Sequence, residues 1–396
     1  MSATTQGTRA LAIGTKSRNH GATPFLAGHT PRSIFNQDTR CPSQETNLEN
    51  PMLAACLSAP GIIDLAEFKE PTPPEDGVVV EMHFASICGS DIHITFDGLH
   101  DPDLLGKPGY PGHEGVGIVV ESRTERFPIG TPVLTVPPGP AGGCFAQFQA
   151  VNASHLLALP DSLAMQRAMM AQQLGTTVFA LKKFLTPERA ATVRTAAVIG
   201  AGSAGLFFLQ QLIRAGVQTV VSDLDPQRLA LARQLGASRV VLPPDESLAE
   251  AAVEASSGQG VDLVIEAAGY DSCRAEAVEI VRPGGIIGLF GYPERKGSSP
   301  FPVHRAFRKS VTAEWISGTQ SERGLTSFRN ALEMIRSRTV EVDYCLEAMY
   351  PLEQLKIALE AARAQGRGAA KVGFSIAGDA RLDLPTLASA TTAFGH

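Results

Sequence analysis

Residues 196–216, A-A-V-I-G-A-G-S-A-G-L-F-F-L-Q-Q-L-I-R-A-G, read as a buried strand, a glycine turn and a helix in immediate succession. Gly200, Gly202 and Gly205 fill a G-x-G-x-x-G pattern. In such a unit the first glycine allows the tight turn and the second lets backbone approach a pyrophosphate. The third lets the helix pack close to the strand. The helix N-terminus then offers free N–H groups and a partial positive charge to phosphates. Many glycine turns bind nothing, so context decides. Here a strand precedes the turn, a helix follows it, and Asp223 closes the next strand, T-V-V-S-D. That is the interval at which an acid accepts hydrogen bonds from the ribose of a dinucleotide. Arg228 follows on the helix D-P-Q-R-L-A-L-A-R-Q-L-G, either beside that ribose or on a solvated face. Further strands at 239–242, 261–269, 284–291 and 310–318 alternate with helical stretches. That alternation predicts an α/β fold with a doubly wound parallel sheet covered on both faces.

One such sheet does not use the whole chain. At 396 residues the protein is too long for a single hydrophobic core. A formal net charge of −6 with no basic run argues against nucleic acid as a partner. No stretch of 18 apolar residues occurs, so no membrane span is expected. The cysteines at 41, 56, 88, 144, 273 and 345 are far apart and form no C-x-x-C pair. They read as free thiols in a reducing compartment, and the expected location is the cytoplasm.

A second site-like pattern precedes the glycine turn. I-C-G-S-D-I-H (87–93) and G-Y-P-G-H-E-G-V-G (109–117) bring Cys88, Ser90, His93 and His113 into one region of sequence. Thiolate and imidazole hold zinc, and a catalytic zinc keeps one position open for water or substrate. A lone cysteine in such a loop packs more often than it ligates. The four positions together resemble the catalytic-zinc region of the medium-chain alcohol and polyol dehydrogenases. The resemblance covers about residues 52–376. It implies a GroES-like, β-rich catalytic domain beside a Rossmann domain, with Cys88 and His113 as metal ligands. It also implies that Ser90 touches the substrate oxygen and His93 passes the proton outwards. Asp91 and Glu114 would orient the ligands, and Glu114 is also a candidate third ligand. Relatives place Glu or Cys at a position that here carries Gln172, and Thr176 would lie near the nicotinamide. A lobe of four cysteines found in many relatives is replaced by P-P-G-P-A-G-G-C, so no structural zinc is expected.

The expected organisation is a disordered extension at 1–51 and a catalytic domain at 52–180. A dinucleotide-binding domain at 181–325, a return to the catalytic domain at 326–376 and a tail at 377–396 follow. The acid-poor leader reads alternatively as a transit peptide or as sequence upstream of a start at Met52, and its Cys41 as incidental. Trp315, Cys273 and Cys345 are read as packing. The expected chemistry is zinc-assisted, NAD-linked interconversion of a secondary alcohol, polyol or sugar hydroxyl and its ketone. The small-molecule alcohol or ketone is the partner, and the resemblance implies a homo-oligomer. Alternatives are a metal-free NADPH-linked quinone or enone reductase, or a non-catalytic nucleotide-binding protein.

Overall fold

The computed structural model describes Cys41 and residues 48–138, 142–364 and 371–377. Most of the leader and of the tail named above therefore lies outside the described residues, as do positions 139–141 of the P-P-G-P-A-G-G-C stretch. Strands β1 (Pro51–Ala59) and β2 (Ile62–Lys69) form an antiparallel hairpin. A second sheet contains β3 (Gly77–Ser86), β4 (Glu114–Ser122), β5 (Pro132–Thr135), β6 (Phe148–Asn152) and β7 (Leu156–Ala158). A third contains β8 (Thr195–Ile199), β9 (Gln218–Ser222), β10 (Arg239–Val241), β11 (Val261–Glu266), β12 (Val281–Leu289) and β13 (Thr312–Trp315). The chain then returns to the second sheet with β14 (Leu346–Pro351) and β15 (Lys371–Ser375).

The third sheet is parallel throughout, in the order β10-β9-β8-β11-β12-β13. This is the doubly wound arrangement anticipated from the glycine turn, and ligands bind such sheets where the strand order reverses. Here the reversal falls between β8 and β11. Every residue of β8 except Thr195, and of β11 except Asp262, is buried, as expected for strands covered by helices on both faces.

The second sheet is organised around β3. One edge of β3 pairs with β4 along its length. The other edge is shared: β6 pairs with Gly77–Glu81, and β15 pairs with Phe84–Ser86. Phe374 of β15 meets Phe145 edge-on at 4.9 Å, and both are fully buried. Burying each such ring stabilises the fold by roughly 1.5–3 kcal/mol. The end of the chain is thus part of the core of its first half.

Two expectations about single residues need correcting. Cys41 is not incidental, because it is disulfide-bonded to Cys56 of β1. The Cα atoms lie 5.9 Å apart, a normal spacing for a disulfide. The linkage also removes the cysteine argument for a reducing compartment; Cys88, Cys144, Cys273 and Cys345 are free thiols. Trp315 does not pack inside: it is 63% exposed, because β13 is the edge of its sheet and that end of the strand lies at the surface. Cys345 is buried, whereas Cys273 is only partly so. No helix among the described residues is long and apolar enough to cross a membrane. Non-reducing peptide mapping of the purified protein is expected to recover a Cys41–Cys56 cross-link, with the other four thiols alkylated once the chain is unfolded.

Candidate active site

Cys88 sits at the junction of β3 with the helix Gly89–Phe96, where it is the N-terminal cap residue. Its backbone N–H donates to the buried carboxylate of Asp91 at 2.9 Å. Ahead of it, the Ile87 N–H donates to the Val372 carbonyl at 2.9 Å, so β15 fixes the approach to the cysteine. His113 ends the loop before β4, and its Nδ1 lies 2.9 Å from the other oxygen of Asp91. One carboxylate therefore orients both residues, leaving Nε2 of His113 for a ligand. A carboxylate on the far nitrogen is the usual way to fix a metal-binding imidazole.

Glu114, the first residue of β4, is buried beside them. Ligand atoms of Cys88, His113 and Glu114 all lie within 4.8 Å of one another. Thiolate, imidazole and carboxylate together suit zinc. The Glu114 carboxylate accepts hydrogen bonds from Ser86 and from the buried ammonium of Lys371, both on Oε2. Burial alone would raise the Glu114 pKa and lower that of Lys371. Their mutual attraction outweighs it, so Glu114 is held below and Lys371 above its ordinary range. For His113, burial opposes the charged form, but Asp91 and Cys88 overcome that and push its pKa well up. Sequence reasoning missed Lys371; a lysine heading the otherwise apolar run K-V-G-F-S-I was the available signal.

Gln172 comes to the same place. It is 2% exposed on the helix Ala171–Phe184, and its Nε2 donates to the His113 carbonyl at 3.1 Å. Gln172 therefore borders the loop that carries His113. Thr176 lies one turn further along, with its hydroxyl donated to the Gln172 carbonyl at 3.2 Å. Ser90 and His93 both ride on the helix that Cys88 caps. His93 Nδ1 lies 2.8 Å from Asp97, an exposed carboxylate at the end of that helix.

The nucleotide half has the expected geometry. Gly200 has φ +99°, and a Cβ on Gly205 would lie 1.8 Å from the Gly200 carbonyl oxygen. A Cβ on Gly202 would meet nothing within 4 Å, which leaves open space over the start of the helix Ser203–Arg214. No side chain caps that helix, so its first-turn N–H groups are available to a phosphate. Asp223 accepts from the Ala201 N–H at 2.6 Å and from the Asp225 N–H at 2.9 Å. These bonds aim it back over the glycine turn. Glu266, at the end of β11, is fully buried and accepts from the N–H groups of Ala268 and Gly269.

A single cleft of about 640 Å³ joins the two halves. Its walls include Cys88, Gly89 and Lys371 at one end, and Gly200, Gly202, Asp223 and Arg228 at the other. Cys273, expected to pack, lies on this wall instead. Ser90, His93, His113, Glu114 and Thr176 are not among the residues that line it.

Comparison with known proteins agrees with both halves. Residues 74–161 match the alcohol dehydrogenase GroES-like domain, and residues 204–337 match the zinc-binding dehydrogenase family. A sorbitol dehydrogenase of Bacillus subtilis is 25% identical over 341 residues, covering 78% of this chain and 93% of that protein. The structure of alcohol dehydrogenase TADH from Thermus sp. ATN1 superposes with a TM-score of 0.71 at 24% identity, covering 82% of this chain and 99% of that one. A zinc-binding dehydrogenase of Sinorhizobium meliloti 1021 bound to NADP gives 0.70 at 19% identity, covering 83% and 100%. The chain belongs to the zinc-type medium-chain dehydrogenase/reductase superfamily, oxidoreductases that act on CH–OH donors.

A neutral amide lacks the charge of the carboxylate or thiolate that would complete a tight centre. Replacing it by Gln172→Glu is expected to tighten zinc binding by about tenfold or more, roughly 1.4 kcal/mol. Competition against a chromophoric chelator measures this without any substrate.

Proposed function

We propose that the protein interconverts a secondary alcohol, polyol or sugar-derived hydroxyl and the corresponding ketone, using NAD and a catalytic zinc. The observation that carries this is the continuous cleft from Cys88 to Asp223. Cys88, one of the three candidate metal ligands, and the dinucleotide cradle lie on that one cavity, an arrangement that suits hydride transfer to a bound cofactor. When bound, zinc supplies a Lewis acid for the substrate oxygen, and the nicotinamide supplies the hydride acceptor.

The chain's own residues do the rest. Cys88, His113 and Glu114 hold the metal, with Asp91 orienting the first two. Gly200, Gly202 and Gly205 receive the pyrophosphate, and Asp223 accepts the ribose hydroxyls with Arg228 beside it. Ser90 takes the hydroxyl proton and passes it to His93, and from His93 the exposed Asp97 carboxylate leads to solvent. A metal-free reductase would have no use for a thiol, an imidazole and a carboxylate gathered within 4.8 Å. Self-association is proposed on the same footing. Val303, Phe307 and Trp315 are exposed beside the open edge of β13, and a second copy would cover them.

NAD is proposed over NADP because an ionised Asp223 accepts two ribose hydroxyls and repels a 2′-phosphate. Hydrogen bonds to a charged group contribute about 1.5–3 kcal/mol, roughly 10- to 100-fold in affinity. Fluorescence titration should show that preference in the wild type and a narrowed gap in Asp223→Gly; tighter NADP binding by the wild type would reverse the assignment.

Ser90→Ala tests the chemistry. It is expected to bind NAD and zinc normally yet lose turnover by about 10²- to 10⁴-fold, the usual range for a positioned proton-transfer group. Steady-state oxidation of a secondary-alcohol panel measures it. A variant as fast as the wild type would show that Ser90 is not in the relay.

A further inference from the structure

Tyr292 belongs to the nucleotide-binding half of the chain but lies against the proton relay of the other half. Its ring stacks on the imidazole of His93, with centroids 5.9 Å apart and planes inclined by 21°. At 41% exposure the ring is not there to fill a core. Its backbone, by contrast, is held firmly. The buried Glu266 accepts from the N–H groups of Ala268 and Gly269 through its carboxylate, and from Phe290 and Gly291 through its carbonyl. A Cβ on Gly269 would lie 2.2 Å from the Tyr292 carbonyl oxygen, and one on Gly291 would lie 2.2 Å from the Gly269 nitrogen. The two turns are therefore packed backbone to backbone, and Tyr292 projects from a fixed base. A second contact from the same loop joins the two halves: Lys296 Nζ donates to the His100 carbonyl at 2.8 Å.

We propose that Tyr292 is a positioning residue for the relay: its ring fixes the plane of His93 while Asp97 fixes Nδ1, so that His93 is aligned to receive the proton only when the two halves are closed on each other. The inference rests on the Ser90–His93 relay proposed above. It makes alignment of the proton acceptor depend on the same loop that follows β12 at the cofactor-binding sheet.

The experiment uses the full-length, zinc-loaded enzyme with NAD and the best substrate among sorbitol, 2,3-butanediol and 2-propanol. Tyr292→Ala is expected to lower kcat roughly tenfold, within the loss that slight misplacement of a reacting group produces. NADH affinity, followed by dihydronicotinamide fluorescence, should stay unchanged and confirm that the variant is folded. Tyr292→Phe, which keeps the stacked ring, should restore kcat. In a His93→Ala background, Tyr292→Ala should add no further loss, because a residue that acts through His93 has nothing left to position. A wild-type kcat for Tyr292→Ala, or an equal loss in both backgrounds, would overturn the proposal while leaving the relay intact. A His93→Ala variant as fast as the wild type, or a wild type inert towards the whole panel, would overturn the relay itself and this inference with it.

Discussion

The buried pair between Glu114 and Lys371 is the contact on which the site depends. Both side chains are almost wholly withdrawn from water, so neither charge is tolerable without the other. Glu114 stands at the start of β4, next to the metal-binding His113. Lys371 stands at the start of β15, whose next residue fixes the backbone before Cys88. Joining them closes the catalytic sheet around β3 and sets the donor atoms in one step. Such a pair contributes little net stability compared with an apolar pair of the same volume. It does penalise every arrangement in which β15 is missing or out of register, because one charge would then be buried alone.

The glycine turn and the catalytic loops were legible in sequence because their chemistry is local. A strand, three glycines, a helix and an acid at the end of the following strand occupy one short segment, and nothing distant is needed to recognise them. Cys88, Asp91 and His113 were legible for the same reason, since the helix that begins at Gly89 lets one carboxylate reach both ligands. Lys371, Tyr292 and the Cys41–Cys56 cross-link were not legible. Each acquires its meaning from a partner in another element, and no local pattern marks a lysine at the head of a strand or a tyrosine after a glycine. Trp315 misled because large aromatic residues usually pack, whereas its strand happens to be the last in its sheet.

Gln172 shows how a departure from a family pattern can be absorbed without disturbing the architecture. The amide spends its N–H group on the carbonyl of His113 and so remains satisfied in a buried position. What changes is charge. The amide carries none of the formal negative charge of a carboxylate.

The return of β15 to the sheet synthesised earlier has a consequence for how the protein is made. Glu114 leaves the ribosome 257 residues before the lysine that neutralises it. At about 5–20 residues per second, that is a delay of roughly 13–50 s. During it the parallel sheet, whose strands are contiguous in the chain, can assemble on its own. The catalytic sheet cannot, since one edge of β3 lacks its neighbour at Phe84–Ser86 and a carboxylate faces the interior without a counter-charge. The nascent chain therefore passes through a stage with a finished nucleotide cradle beside an unfinished catalytic half. That interval is when the unpaired edge of β3 is exposed to capture by a chaperone or by another chain.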